Sequence, residues 1–349
     1  MKAAVLTQYR SDLEIRHLPD PEPGPTDAVV EVEACGVCRS DWHFWQEDWT
    51  WLQLGLELPR VPGHEFGGTV LEVGSEVQGV KPGDKVSATF HLACGDCDYC
   101  NSGRGNLCYA YGFIGFHHDG GYGQRVRVPM ADFNLVKLPE EVNAPTAAAL
   151  GCRYMTAYHG LVDQAAIQPG EWVAVYGIGG LGMAAVQIAS ALGAQVVAVS
   201  RTREKLEGAL AEGAHSTVQA NGNTAEAVKE ATGGGAHVTV DCLGTSATLL
   251  PAVLSLRKGG RHLHLGLTGK EDQGMVSLPV DAMVLQELRF LGSVGCPKTS
   301  YPGLLSMVAD ETLKPNRLVE RTAAVEEVND ILSSMSDFGT VGMHVITEW

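Results

Sequence analysis

The sequence predicts an α/β protein in two parts, a mostly β domain followed by a doubly wound parallel sheet. Three observations carry this. The first third of the chain alternates apolar and polar residues in short runs broken by Pro and Gly. From about residue 153 the pattern changes to apolar strand runs alternating with helical segments. The first of those strands enters Gly177-Ile178-Gly179-Gly180-Leu181-Gly182, a glycine-rich turn of a strand–helix–strand unit. At 349 residues the chain exceeds one compact core, so two domains are the natural division.

Composition narrows the function classes. A formal net charge of -16 leaves no basic excess to bind a phosphate backbone, so no nucleic-acid partner is expected. No run approaches the ~18 apolar residues needed to span a bilayer, so no membrane partner is expected either. Met1–Leu6 lacks the apolar core and cleavage site of a signal peptide, and a cytoplasmic location is expected. Thiols stay reduced there, so the nine cysteines need roles other than disulfides.

The elements follow in order. Residues 1–35 read as antiparallel strands, with Ala28-Val29-Val30-Glu31-Val32-Glu33 as the clearest alternation and turns at Pro21, Pro23, Gly24 and Pro25. Cys35-Gly36-Val37-Cys38-Arg39-Ser40-Asp41-Trp42-His43 comes next. By itself its Cys-x-x-Cys spacing fits a zinc knuckle or a redox pair. Trp42, Phe44, Trp45, Trp49 and Trp51 show no helical stripe, so a pocket-lining loop is expected at least as much as core packing. His64-Glu65 falls between glycines. Cys94-x2-Cys97-x2-Cys100-x7-Cys108 matches a closed zinc site of four thiolates, with an iron–sulfur cluster as the competing reading. Four protein ligands leave no open position, so such a site would clip a lobe in place. Strand-like patterning returns after residue 120 and gives way to an Ala-rich helix ending near Cys152.

In the second part, Trp172–Tyr176, Gln195–Val199, His237–Val240, Arg261–Leu265 and Leu288–Leu291 read as strands and Met183–Leu192 as a helix. Tyr301–Asp310 and Val325–Met335 read as helical and Met343–Thr347 as a closing strand. Gly177, Gly179, Gly180, Leu181 and Gly182 would bring backbone and a helix N-terminus against a dinucleotide pyrophosphate. The second strand ends in Ser200-Arg201-Thr202-Arg203 where an acidic residue would repel a 2′-phosphate. A hydroxyl and guanidiniums suit a phosphate dianion, so NADP(H) is favoured, with NAD(H) the alternative.

Together these motifs resemble the zinc-dependent medium-chain alcohol dehydrogenases over essentially the whole chain. The resemblance rests on Gly36–Asp41, Gly63-His64-Glu65, the four-cysteine lobe, Cys152 and the nucleotide turn, in family order. It implies a GroES-like catalytic domain (1–152, lobe about 94–108), a Rossmann domain (153–294) and a tail (295–349) returning to the catalytic domain. It further implies two zinc ions per chain: Cys38, His64 and Cys152 would hold a catalytic one, and Cys94, Cys97, Cys100 and Cys108 a structural one. Cys35 matches no ligand position. Ser40 and His43 would relay a proton through the cofactor ribose, Asp41 would orient the ligand imidazole, and Glu65 would tune the metal. Arg39, Thr156, Leu243 and Leu265-Gly266-Leu267 would join the nucleotide turn, Ser200 and Arg201 in holding cofactor. Trp49, Phe90 and Leu92 would line the substrate pocket. The implied reaction is hydride transfer between an alcohol and the nicotinamide, with hydrophobic or aromatic alcohols, aldehydes or ketones as substrates, in a homo-oligomer, a tetramer before a dimer.

Where many relatives carry Gly-x-x-Gly-Arg near the end, this chain has Gly339-Thr340-Val341-Gly342-Met343, removing one cofactor phosphate contact. A polyol dehydrogenase of the same superfamily usually replaces the third cysteine ligand by glutamate, and a zinc-free quinone or enoyl reductase lacks the ligands; Cys152 and the lobe point away from both. The charge weighs against a zinc-finger-like binding protein.

Overall fold

Ala28–Val37 alternates as its sequence requires: Val30, Val32 and Ala34 are buried while Glu31 and Glu33 face solvent. This strand is the centre of the first of two units. The computed structural model describes residues 1–110, 112–336 and 342–349, which divide into Met1–Met155 with Gly295–Trp349, and Thr156–Val294.

In the first unit, the strands run in the order Val319–Ala324, Met343–Glu348, Ala28–Val37, Glu65–Val73, Lys85–Ala88, Leu135–Lys137, with Arg125–Val128 also pairing to Ala28–Val37. The C-terminal strand pairs antiparallel with Ala28–Val37, placing His344 beside Val37 and Ile346 beside Cys35. The core gathers Leu6, Val30, Phe44, Phe66, Leu92, Ile114, Tyr122 and Ile331; each fully buried Leu, Ile or Phe contributes roughly 1.5–3 kcal/mol of transfer free energy.

One expectation is corrected here. Trp42, Phe44 and Trp45 lie in a helix, Arg39–Trp45, whose buried face is Asp41, Phe44 and Trp45. Those positions are spaced i, i+3, i+4, the helical stripe. The stripe escapes a hydropathy reading because its first member is a carboxylate. Val319–Ala324 was equally hidden: Glu320, Arg321 and Thr322 are exposed, so its sequence shows no apolar alternation.

In the second unit, six parallel strands run in the order Ser216–Gln219, Gln195–Ser200, Trp172–Tyr176, Ala236–Asp241, Leu256–His264, Arg289–Gly292. Numbered along the chain from Trp172–Tyr176, this is 3-2-1-4-5-6, the doubly wound dinucleotide-binding order. Helices Gly180–Ala191, Arg203–Ala211, Thr224–Ala231 and Ser246–Leu254 connect the strands. Val173, Val175, Val196, Val197, Val238 and Val240 are buried, as expected of strands covered on both faces. No helix among the described residues is long and apolar enough to cross a membrane.

Candidate metal and cofactor sites

Cys38, His64 and Cys152 come from three elements of the first unit. Cys38 caps the N-terminus of helix Arg39–Trp45. His64 immediately precedes strand Glu65–Val73. Cys152 follows helix Ala144–Ala149, where Gly151 leaves helical geometry (φ -49°, ψ -149°) and interrupts the helix at the cysteine. One donor atom from each of Cys38, His64, Glu65 and Cys152 lies within 4.8 Å of all the others.

Asp41 organises this cluster. Its carboxylate accepts from the backbone N–H of Cys38 at 2.9 Å, from the Tyr122 hydroxyl at 2.8 Å and from the Gly63 N–H at 3.3 Å, and meets His64 Nδ1 at 3.0 Å. With Nδ1 so engaged, Nε2 is the imidazole atom left to act. It is buried, has no conventional hydrogen-bond partner among the described residues, and faces the Cys38 thiol. Burial depresses the His64 pKa, but Asp41 and Cys38 outweigh it and hold the imidazole well above its ordinary value. Cys38 is drawn well below the usual thiol range by its hydrogen bond to Cys152 and the charge of His64, while that same hydrogen bond and burial push Cys152 up.

Glu65 has both of its oxygens engaged by Arg153. Arg153 holds it through Nε to Oε1 at 2.9 Å, a second guanidinium contact to Oε2, and its backbone N–H to Oε1 at 3.3 Å. Both residues are buried. Gly36 makes room for the pair, because a Cβ there would stand 2.5 Å from Glu65 Oε2. Burial raises the Glu65 carboxyl to about 7 although Arg153 pulls it down, and Glu65 in turn raises Arg153 further, against its own burial. Arg153 was missed in the sequence; its only signal is a lone charge within the apolar run Ala147–Ala157.

Cys94, Cys97, Cys100 and Cys108 bring their sulfurs together within 4.8 Å. All four are free thiols, with Cys97 to Cys100 at 3.5 Å and Cys94 to Cys100 at 3.9 Å. Backbone amides of Asp96 and Cys97 lower Cys94 to about 7, whereas burial raises Cys100 to about 12. Four sulfurs and no oxygen donor make a closed set suited to zinc.

In the second unit, strand Trp172–Tyr176 runs into Gly177, whose φ of +88° disfavours any side chain. A Cβ at Gly182 would stand 2.0 Å from the Gly177 carbonyl, so that glycine is needed for helix Gly180–Ala191 to start against the strand. A Cβ at Gly179, in contrast, would meet nothing within 4 Å. Packing does not require that glycine, and the open space is where a phosphate could approach backbone N–H groups.

Residues 24–140 match the alcohol dehydrogenase GroES-like domain and residues 180–310 the zinc-binding dehydrogenase domain. The chain is 36% identical over 336 residues to an alcohol dehydrogenase of Geobacillus stearothermophilus, covering 96% of each. It is 32% identical to the NAD-dependent alcohol dehydrogenase of Sulfurisphaera tokodaii over 99% of each. Its fold superposes on the alcohol dehydrogenase TADH from Thermus sp. ATN1 with a TM-score of 0.89, at 29% identity and 100% coverage of both chains. The chain belongs to the zinc-dependent medium-chain dehydrogenases.

Both metal sites of this dehydrogenase fit zinc on their donors. Two thiols and an imidazole whose buried Nε2 faces them form a three-ligand set that would leave a zinc ion one position open, and four thiols form a closed set. Cys35 joins neither: it is buried, with its thiol against the Gly36 carbonyl at 3.7 Å. Ser40 Oγ accepts from the Cys38 thiol at 3.7 Å. His43 lies three residues further along the same helix face, with Nδ1 2.8 Å from Asp48 Oδ2 and its ring stacked on Trp49 at 4.8 Å. Burial lowers the His43 pKa, opposed by Asp48. Arg39 stacks on Trp42 at 3.8 Å and donates to the Met335 carbonyl. Phe90 approaches the His64 ring at 5.8 Å, and Leu92 is fully buried in the core. Thr156 Oγ1 is buried with no partner among the described residues. Ser200 ends its strand nearly buried, Arg201 is exposed, and Arg203 is paired with Glu207 at 2.9 Å. Leu243 and Leu267 are exposed, and Leu265 is buried. Gly339, Thr340 and Val341 lie outside the described residues; Met343 is buried in the closing strand.

His91, packed against Phe90 and Phe113, is depressed by burial from 6.5 to about 3. Between these values the unfolded chain binds a proton that the folded chain does not, so stability falls as pH falls. The expected loss from this residue alone is about 2 kcal/mol between pH 6.5 and pH 5. Urea unfolding at both values checks it: His91→Phe should reduce the pH dependence by that amount, and an unchanged slope refutes it.

Proposed function

We propose that this dehydrogenase interconverts hydrophobic or aromatic alcohols with the corresponding aldehydes or ketones, using NADP(H) in preference to NAD(H). The observation that carries the reading is the Cys38–His64–Cys152 set, its first two members buried and its third half-buried, with His64 Nε2 facing the thiols. Zinc bound there supplies Lewis acidity that makes the alcohol hydroxyl easier to deprotonate, while the nicotinamide exchanges the hydride. Cys38, His64 and Cys152 would hold the ion, and Asp41 keeps the His64 ring turned so that Nε2 faces the thiols. The Ser40 hydroxyl, beside Cys38, would take the alcohol proton as it gives its own through the cofactor ribose to His43, which would release a proton to solvent. Asp48 supports that role by accepting from His43 Nδ1, which leaves Nε2 free to gain and lose a proton.

Trp49 and Phe90 support an apolar substrate, and Thr156 Oγ1, buried without a partner among the described residues, supports a cofactor contact. For the 2′-phosphate, Ser200 and the exposed Arg201 carry the argument, since Glu207 already occupies Arg203. The Sulfurisphaera relative's name favours NAD(H) instead. We also infer a homo-oligomer, a tetramer first, acting in a reducing cytoplasm: Val284 and Leu285 are 71% and 82% exposed on helix Val280–Leu285, apolar surface that a second copy would cover. A monomer in sedimentation would refute this.

The deciding assay follows nicotinamide absorbance over a panel of alcohols, aldehydes and ketones with both cofactors. Turnover of aromatic and long-chain substrates is expected, faster with NADP(H). A large NAD(H) preference overturns the cofactor assignment, and inactivity across the panel overturns the reaction. In the same assay His43→Ala should lower kcat about 10²-fold and alter the pH–rate profile; an unchanged profile removes His43 from the relay.

A further inference from the structure

The second unit holds a group of side chains able to ligate a metal, to which the dehydrogenase reading assigns no role. His262 and His264 are two residues apart on strand Leu256–His264 and so face the same side of the sheet. Parallel pairing with Ala236–Asp241 sets Thr239 beside His262 and Asp241 beside His264. One donor atom from each of Asp241, His262 and His264 lies within 4.8 Å of the other two.

The ring contacts have the dimensions of a chelate. His262 Nδ1 is engaged by Thr239 Oγ1 at 2.9 Å, which leaves Nε2 for another partner. It faces His264 Nδ1 at 3.3 Å. Hydrogen bonds from N–H donors cluster near ~2.9–3.0 Å, so this contact is long for one. Two imidazole nitrogens at about 2.0–2.1 Å from a tetrahedral ion stand about 3.3 Å apart. His262 is buried. Phe290 lies against both rings, at centroid distances of 5.1 and 5.6 Å, and restricts their rotation.

Asp241 retains capacity to complete the set. Its Oδ1 accepts from the N–H groups of Leu243 at 2.8 Å and Gly244 at 3.0 Å, which uses both lone pairs. Its Oδ2 accepts only the Thr248 hydroxyl at 2.8 Å among the described residues, so one lone pair is left. His264 is partly exposed, which gives an ion a route in and solvent a place in its coordination.

We propose that Asp241, His262 and His264 form a third metal site, binding one divalent transition ion of the kind that imidazole and carboxylate share, zinc, cobalt or nickel. It shares no residue with the cysteine sites and does not depend on the dehydrogenase reading. The ion would tie the ends of two neighbouring strands where the Leu243–Gly244 turn begins.

Equilibrium dialysis of the full-length protein against buffered zinc, followed by elemental analysis, tests this. His264→Gln should bind one equivalent fewer than the unsubstituted protein, with the thiolate-bound metal, counted by the near-ultraviolet bands of a cobalt-loaded sample, unchanged. Equal zinc content in the two proteins overturns the proposal and leaves a hydrogen-bonded histidine pair beside a turn-capping carboxylate. A second measurement needs no variant: crystals soaked in nickel chloride should give an anomalous peak between His262 Nε2 and His264 Nδ1, and its absence overturns the site.

Discussion

Cys152→Ser is expected to cost this dehydrogenase one equivalent of zinc and about 10³-fold or more in kcat/KM, because metal polarisation of a reacting oxygen is worth several kcal/mol. The change is nearly isosteric, so it tests the donor and not the packing. Cys152 shares its environment with Cys38, which leans on the Cys152 hydrogen bond to lower its pKa. Removing one sulfur therefore weakens the other as a donor as well. The zinc of the Cys94–Cys108 lobe should stay, since no residue is common to the two clusters. Elemental analysis with steady-state kinetics checks the expectation; full zinc content with a rate within tenfold of the unsubstituted enzyme would show that Cys152 is not a ligand.

The second large effect concerns Arg153. Arg153→Leu leaves Glu65 buried without its cation, and breaking a buried ion pair from one side costs about 3–5 kcal/mol. The cost should depend on pH in a known direction. Burial already raises Glu65 to about 7, above its unfolded value, and losing the guanidinium raises it further. The pH-dependent part of the penalty, about 1.4 kcal/mol at pH 8, is lost as pH falls through the folded pKa, so the variant should be closest to the parent near pH 5 and furthest near pH 8. Denaturant unfolding at both values, with Glu65→Gln added to Arg153→Leu, checks the origin. The double variant should recover part of the loss at pH 8; a single variant within 1 kcal/mol of the parent at pH 8 refutes the argument.

The fold class was legible because two periodicities changed at one place in the chain. Strand Ala28–Val37 exposes Glu31 and Glu33 and so alternates through its middle, whereas Trp172–Tyr176 is covered on both faces and reads as a continuous apolar run. Asp41 hid a helix for the opposite reason: one buried carboxylate, its oxygens occupied by Cys38, Gly63, Tyr122 and His64, sits where an apolar residue would announce the stripe. Exposed Glu320, Arg321 and Thr322 hid a strand whose order comes from pairing with Met343–Glu348.

Residue types and their spacing alone determine the four-thiol lobe, the glycine turn and the doubly wound half of the chain, because each is a local device whose geometry is set within a few residues. The tertiary structure alone decided what surrounds His64, Glu65 and His262. Asp41 takes Nδ1 of His64, Arg153 claims Glu65 across a separation of 88 residues, and parallel register sets Asp241 beside His264. Those contacts are long in sequence and buried, and the charge or lone pair each leaves available follows from which distant partner the fold delivers.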